Sequence, residues 1–237
     1  MKLAFKFCFV ALALSSATTH ALTLDYRHEY KADSKSQANR LKLSHTNESG
    51  MFFGVEGKMA ESTAATGSDG FKEGNGNWSG SGSSEWEIGQ NVKVTDKLVL
   101  APAVNLDVGD TFVGYRVQLK GIYSITDNWL TTLRWRGGIQ KDEADNVADK
   151  NYNQFNWEIG YKHEKVSITG DYEYKFTNYN DYKGEHDNWL YNVAVAVPVN
   201  KQWVPYGEVG YVPRANEDRT EDEMEIRYRL GVKYNFL

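Results

Sequence analysis

Two pairs of arginines stand two residues apart, Arg134 with Arg136 in "LRWRGG" and Arg227 with Arg229 in "EIRYRLG". On a strand that spacing puts both guanidiniums on one face, about 7 Å apart. A guanidinium is a planar donor fork that matches a carboxylate and stays charged at any accessible pH. Arg27, Arg40 and Arg116, with Lys42, Lys120 and Lys233, fall on the polar phase of their own alternating segments. The chemistry on offer is recognition of anions by a series of fixed cations. Bond-making chemistry is poorly provided for. Ser44 and His45 are adjacent on a strand and so point to opposite faces. His28 falls on an apolar phase, His163 in a turn and His186 in a loop. No Ser–His pair has an orienting third group, and no Cys/His cluster has metal spacing. The glycines of "GSDGFKEGNGN" read as a flexible loop, not a phosphate cradle. Neither enzymatic activity nor a cofactor is expected.

The elements that must hold these cations are strands. In "EIRYRLGVKYNFL", Ile226, Tyr228, Leu230, Val232, Tyr234 and Phe236 alternate with Glu225, Arg227, Arg229, Gly231, Lys233 and Asn235. The same period of two marks Leu22–Lys31, Asn39–His45, Met51–Ala60, Glu85–Val94, Leu98–Leu106 and Val113–Tyr123. It returns in Trp129–Arg136, Gln154–Lys162, Val166–Phe176, Trp189–Val197, Trp203–Val212 and Glu225–Phe236. About twelve strands follow, most near the length that crosses a bilayer at a tilt. Their connections alternate between short ("TNESG", "TD", "SITDN", "HEK", "PVNKQ") and long, the longest being Gly/Ser-rich, Glu61–Ser84. "ADSKSQA" and "DVGDTF" are only moderately longer than the turns. Tight turns at one end and long loops at the other are the pattern of an up-and-down barrel in an outer membrane.

Phase supports that reading. Trp86, Ile88, Tyr115, Leu119, Trp135, Trp157, Tyr172 and Tyr174 all lie on the apolar face of their strands, and Trp and Tyr crowd toward strand ends. Interfacial aromatic girdles account for such crowding. No helical period provides a second layer to cover a dozen apolar faces. Closure into a transmembrane antiparallel β-barrel solves this: lipid covers the apolar faces, and no edge is left unpaired. The charged phase then lines a wet lumen. Phe236 stands at the position of the barrel-assembly signal.

The rest of the composition agrees. The 237 residues are 41% hydrophobic with a mean hydropathy of −0.61, and no apolar run approaches the roughly 18 residues of a membrane helix. Residues 1–21, "MKLAFKFCFVALALSSATTHA", read as a secretory signal peptide cleaved after Ala21, leaving a barrel over residues 22–237. The single cysteine, Cys8, lies in that leader, so disulfide and thiolate chemistry are excluded from the exported chain. Loss of the leader's two lysines leaves 25 basic against 32 acidic residues, a net charge of −7. That balance points away from nucleic acid.

On the lumen phase Arg27, Arg40, Lys42, Lys58, Lys93, Arg116, Lys120, Arg134, Arg136, Lys162, Lys175, Arg227, Arg229 and Lys233 share space with Asp25, Glu29, Glu56, Glu87, Glu158, Asp171, Glu173 and Glu225. Arginines concentrate on the first two, the sixth and seventh, and the last strands. In a closed barrel these form two facing ladders, with acids on the walls between. The plainer account is that lumen charges pair with each other and keep the pore wet.

The segments "LDYRHEY", "NRLKLSH", "YRVQLKG" with "TDNWLTTLRWR", and "WVPYGEVG" with "EIRYRLGVKYNF" resemble those of the oligogalacturonate-specific porins. The resemblance runs through most of the mature chain. It implies a narrow twelve-stranded channel for acidic oligosaccharides, acting as a monomer and lined by opposed arginine tracks. Carried over by position are Arg27, Arg40, Arg116, Arg134, Arg136, Arg227 and Arg229, with Lys42, Lys120 and Lys233 as further pore-lining cations. It also implies outer-membrane lipid, lipopolysaccharide and the barrel-assembly machinery as partners. A general porin, or one for sialic acid or alginate oligomers, is the nearest alternative reading. An outer-membrane enzyme and a soluble carbohydrate-binding sandwich are more distant ones. The loop Glu61–Ser84 is expected outside the cell and Asp96 in the periplasm.

Overall fold

A computed structural model of the chain describes residues 22–60, 82–109, 111–144, 148–180, 184–214 and 223–236. Residues 1–21, expected as a leader, and residues 61–81 of the Gly/Ser-rich stretch lie outside the described residues. The described chain is a single closed antiparallel sheet of twelve strands. They are β1 (Thr23–Lys31), β2 (Gln37–Thr46), β3 (Met51–Ala60), β4 (Gly82–Gln90), β5 (Leu98–Gly109) and β6 (Phe112–Ser124). Then follow β7 (Trp129–Asp142), β8 (Lys150–His163), β9 (Val166–Thr177), β10 (Asp187–Ala196), β11 (Trp203–Arg214) and β12 (Glu223–Asn235). Val92–Lys93 prolongs β4 past Asn91 without a change of register against β5.

Each strand pairs with the next, and β1 pairs with β12 from Thr23↔Asn235 to Lys31↔Arg227. The Phe236 amide reaches the Leu22 carbonyl at 2.8 Å beside this seam. One rim carries both chain ends and the short turns. The other carries the connection 32–36 and the far ends of the remaining strands, among them Gly82, Gly109, Phe112, Asp142, Lys150, Thr177, Asp187 and Arg214.

Burial is inverted relative to a water-soluble protein. Leu230 is 69% exposed and Leu133 61%, whereas Glu225 and Asn156 are only 1% exposed. A buried polar lining under an apolar coat fits a wall with lipid outside and water inside. Aromatic pairs mark the two boundaries. Trp129–Tyr161 and Trp203–Tyr234–Phe236 lie at the turn rim, and Tyr172–Tyr191–Trp189–Tyr211 toward the loop rim. Asn39, polar yet on the outward phase, is satisfied locally. Its Oδ1 accepts the Tyr26 hydroxyl at 2.8 Å and lies 3.1 Å from His28 Nδ1.

The strands depart from the sequence expectation on one flank. β7 and β8 have 14 residues each, and their ladder runs as far as Gln140↔Lys150. Most of "GGIQKDEADNVADKNYN", expected as a loop, is therefore strand. Likewise β5 and β6 extend to Gly109 and Phe112, so that connection is only residues 110–111. The pair Gly137–Gly138 looks like a breaker in the sequence. In the sheet, the Tyr152 ring packs where a Gly138 side chain would stand, 2.5 Å from an added Cβ. A lone glycine in a strand commonly marks such a close approach. Fourteen residues exceed the 9–11 needed to cross a tilted barrel wall, so this flank stands above the membrane.

Closure through β1 and β12 makes the fold resist detergent until heated. Unheated samples in SDS are expected to migrate faster than boiled ones; a single heat-independent band would contradict a closed barrel. Asp96, 97% exposed at the turn rim, and Asn178 at the loop rim provide a topology test in a chain whose single cysteine is Cys8. An impermeant maleimide on whole cells is expected to label Asn178→Cys and to reach Asp96→Cys only after lysis.

Candidate functional site

The strand alternation turns every expected cation inward, but their surroundings differ. On the β1–β6 flank most are neutralised by acids on the same strand or one or two strands away. Arg40 Nη2 lies 2.8 Å from Asp25, and its Nη1 3.4 Å from Glu56. Lys42 reaches Glu87 at 3.6 Å, and Lys58 bridges Glu56 and Glu85 at 3.2 and 3.5 Å. Arg116 holds Glu85 at 2.7 Å and Asp107 at 2.8 Å. At the seam, Arg229 binds Glu29 and Glu208, each at 2.6 Å, and Arg227 lies 3.3 Å from Glu208. Gly210 makes room for Arg227: a Cβ there would come 3.4 Å from its guanidinium and 2.5 Å from Asn192 Oδ1. The acids thus stand beside the arginines of β2, β6 and β12. They are not confined to walls between two ladders, because a carboxylate one strand away is the shortest way to relieve crowded cations.

A second set has no ion pair among the described residues: Arg27, Lys120, Arg134 and Arg136. Lys120 and Arg134 face each other directly across β6 and β7, as do Arg27 and Arg40 across β1 and β2. Like charges in direct cross-strand register destabilise a sheet. Asp25 relieves Arg40, but no carboxylate closes on Arg134 or Lys120. The Nε atoms of Arg134 and Arg136 are buried without a hydrogen-bond partner. Lys233 is in register with Asp25 but makes no ion pair among the described residues, and its Nζ lies 5.5 Å from the Tyr206 ring centroid.

Between the free arginines and the acids of β9 stands a neutral amide. Asn156 Oδ1 accepts from Arg136 Nη2 at 3.3 Å and from Gln154 at 3.0 Å. Its Nδ2 donates to Glu173 at 2.9 Å and to Asp171 at 3.3 Å. Asn192 does the same on the other side, donating to Asp171 at 3.1 Å and accepting from Arg227 at 2.7 Å. The amides satisfy both charges without letting them collapse together. Sequence reasoning missed these asparagines, and also Glu85, Asp107, Glu208, Tyr152 and Tyr206. All stand on the inward phase of their strands, so strict alternation was the available signal.

Tyr152 and Tyr206 are the two tyrosines on the inward phase of the described strands. Each lies against a glycine of the neighbouring strand, Tyr152 on Gly138 and Tyr206 on Gly231. Those glycines end two matching runs, "RWRGG" and "RYRLG". In the half of the lumen toward the turn rim, a cavity of about 330 Å³ opens between the seam and β8–β10. Of the expected site residues it gathers Arg27, Arg40, Arg229 and Lys233. It does not gather Lys42, Arg116, Lys120, Arg134, Arg136 or Arg227. Among the described residues no cluster of His, Cys, Asp and Glu could hold a metal ion.

The profile of a family described as oligogalacturonate-specific porin protein (KdgM) matches residues 15–236. The oligogalacturonate-specific porin KdgM of Dickeya dadantii (strain 3937) is 30% identical over 234 residues, covering 94% of this chain and 95% of that protein. The uncharacterized protein YiiY of Salmonella typhimurium is 28% identical over 233 residues, 98% of this chain and 97% of the relative. Among solved structures, a KdgM porin superposes with a TM-score of 0.66 at 24% identity, covering 91% of this chain and 99% of that one. A NanC porin superposes with 0.73 at 16% identity, covering 90% and 100%. These last two show a shared fold.

Asn156 joins four neighbours while almost wholly buried, so its loss leaves charged groups unsatisfied. Asn156→Leu is expected to destabilise the barrel by about 1–3 kcal/mol, read as a lowered urea midpoint of tryptophan fluorescence in lipid. An unchanged midpoint would remove the amide from the lumen's support.

Proposed function

The chain belongs to the oligogalacturonate-specific porin family, and on that premise we propose that it is a passive outer-membrane channel for acidic oligosaccharides of the oligogalacturonate type. The observation that carries the reading is the uncompensated cation group on β6 and β7. Lys120 stands directly opposite Arg134, with Arg136 two residues beyond and no ion pair to any of them among the described residues. Such an arrangement costs the empty barrel stability. An anionic guest removes the cost by supplying the missing carboxylates.

A uronate oligomer carries one carboxylate per sugar, so it can exchange one cation for the next along the wall. Each contact at about 4 Å is worth roughly 1 kcal/mol in bulk water and about 4 kcal/mol near a protein surface. Passage requires binding strong enough to enter and weak enough to leave. Several modest contacts meet that requirement, and no catalytic group is involved. Arg27 and Lys233 continue the path toward the turn rim, which faces the periplasm in this reading. Arg40, Arg116, Arg227 and Arg229 hold the wall together through their acids and shape the field around the path. The signal segment directs export, the barrel-assembly machinery inserts the chain, and a monomer in contact with lipopolysaccharide is the working unit.

The two arginine pairs are expected to behave differently. Arg134→Ser with Arg136→Ser should give a folded barrel whose reversal potential in a salt gradient loses its anion preference. Current block by trigalacturonate should shorten at least tenfold, about 1.4 kcal/mol. High salt should shrink the wild-type effect, since the screening length falls to about 3 Å at 1 M. Arg227→Ser with Arg229→Ser strands Glu29 and Glu208, and should lower the yield of folded barrel and its urea midpoint. Cation preference in the wild type, or anion preference surviving in Arg134→Ser/Arg136→Ser, would overturn the reading.

A further inference from the structure

The 330 Å³ cavity near the turn rim has walls of three chemical kinds. One wall bears Arg27 and Lys233, cations without an ion pair among the described residues. The wall across it bears Glu158 and Asp171 on β8 and β9. Glu158 makes no ion pair among the described residues, and Asp171 is held by the amides of Asn156 and Asn192. Between them stands Tyr206. Its ring packs against Gly231, where an added Cβ would come 2.4 Å from ring carbon Cζ. Its hydroxyl donates to Asp25 Oδ1 at 2.7 Å. Two anchors fix this ring before any guest arrives, and a group already in place costs no ordering entropy on binding.

Simple anion conduction needs only the cations. It does not need a fixed aromatic ring, nor carboxylates facing the anion's path. A hexuronate needs all three. Its carboxylate seeks a cation, its hydroxyls donate to carboxylate oxygens, and the C–H groups on one side of the pyranose pack on an aromatic face. Cavities for small ligands begin at about 300 Å³, so the space suits one or two sugar units. We propose that this cavity is a uronate-selective sugar subsite, in which Arg27 and Lys233 take the carboxylate, Glu158 and Asp171 the hydroxyls, and Tyr206 the pyranose face.

The subsite rests on the anion-channel reading and adds to it a preference for sugars over other polyanions. The lysine ammonium near the ring serves both purposes, since Lys233 can move from the ring to a carboxylate lodged beside it. The cations admit any anion of suitable width; the ring and the opposing acids retain only those with an apolar face and hydroxyls.

The test compares trigalacturonate with triglutamate, two trivalent anions of which one is a sugar, as blockers of single-channel current. Wild type is expected to hold trigalacturonate at least tenfold longer. Tyr206→Leu, which still covers Gly231, should bring that ratio close to one, and Tyr206→Phe should preserve it. Glu158→Gln provides a second route if Tyr206→Leu does not fold. The subsite predicts a fall in the ratio, whereas plain relief of repulsion lengthens both blocks equally and leaves the ratio unchanged. An unchanged ratio in either folded variant, or equal residence of both ligands in wild type, overturns the subsite while leaving the anion channel in place. A wild-type channel that neither ligand blocks overturns both.

Discussion

A backbone amide in hydrocarbon has no water to turn to, so each strand must find its partners within the sheet. The pairing of β1 with β12 is the step that satisfies this for the whole molecule. Closure fixes the radius, the radius brings facing walls close, and closeness makes the lumen's charges interact. The inversion of burial follows from the same step. Once closed, the sheet has a lipid side and a water side, and strict alternation sends Leu230 to one and Arg229 to the other.

Crowding is the second consequence. Fixed cations in a narrow space repel unless something intervenes, and the lumen uses three devices. Acids on adjacent strands neutralise Arg40, Arg116, Arg227 and Arg229. The amides of Asn156 and Asn192 separate opposite charges that would otherwise collapse into more ion pairs. Glycines leave volume for large neighbours, Gly210 for Arg227 and Gly138 for Tyr152. What the devices leave unrelieved, around Lys120 and Arg134, is where a guest has most to offer. Among the described residues, chemically alike side chains thus fall into two sets, one held by carboxylates and one without an ion pair.

Most of the fold was legible because a two-residue period with one lipid face is a strong pattern. All twelve strands appear where alternation placed them, and the inward phase of every expected cation held. The failures lie at the ends of β5 to β8. Gly137–Gly138 and the polar run after it look like a loop, and a strand that has left the membrane no longer needs an apolar face to announce it. Within the site, residue type alone did not distinguish Arg134 from Arg229. The difference depends on which acid stands one strand away, and so on register. Register is invisible until turn lengths are known, and Glu208 was hidden because the inward face around it mixes Val204, Tyr206 and Gly210.

The seam joins parts of the chain that are far apart in sequence: Thr23 Oγ1 donates to Asn235 Oδ1 across a separation of 212 residues. Eleven ladders can form between neighbours as soon as both strands exist. The twelfth must wait for the last residues. Contacts of such long range make folding slow, and until this one forms, two raw edges face the bilayer. The molecule therefore behaves as a clasp. A chain cut short within β12 is a sheet that cannot enter lipid at all, not a weaker channel, so a cell that clears unclasped sheets never has to contend with a leaking one.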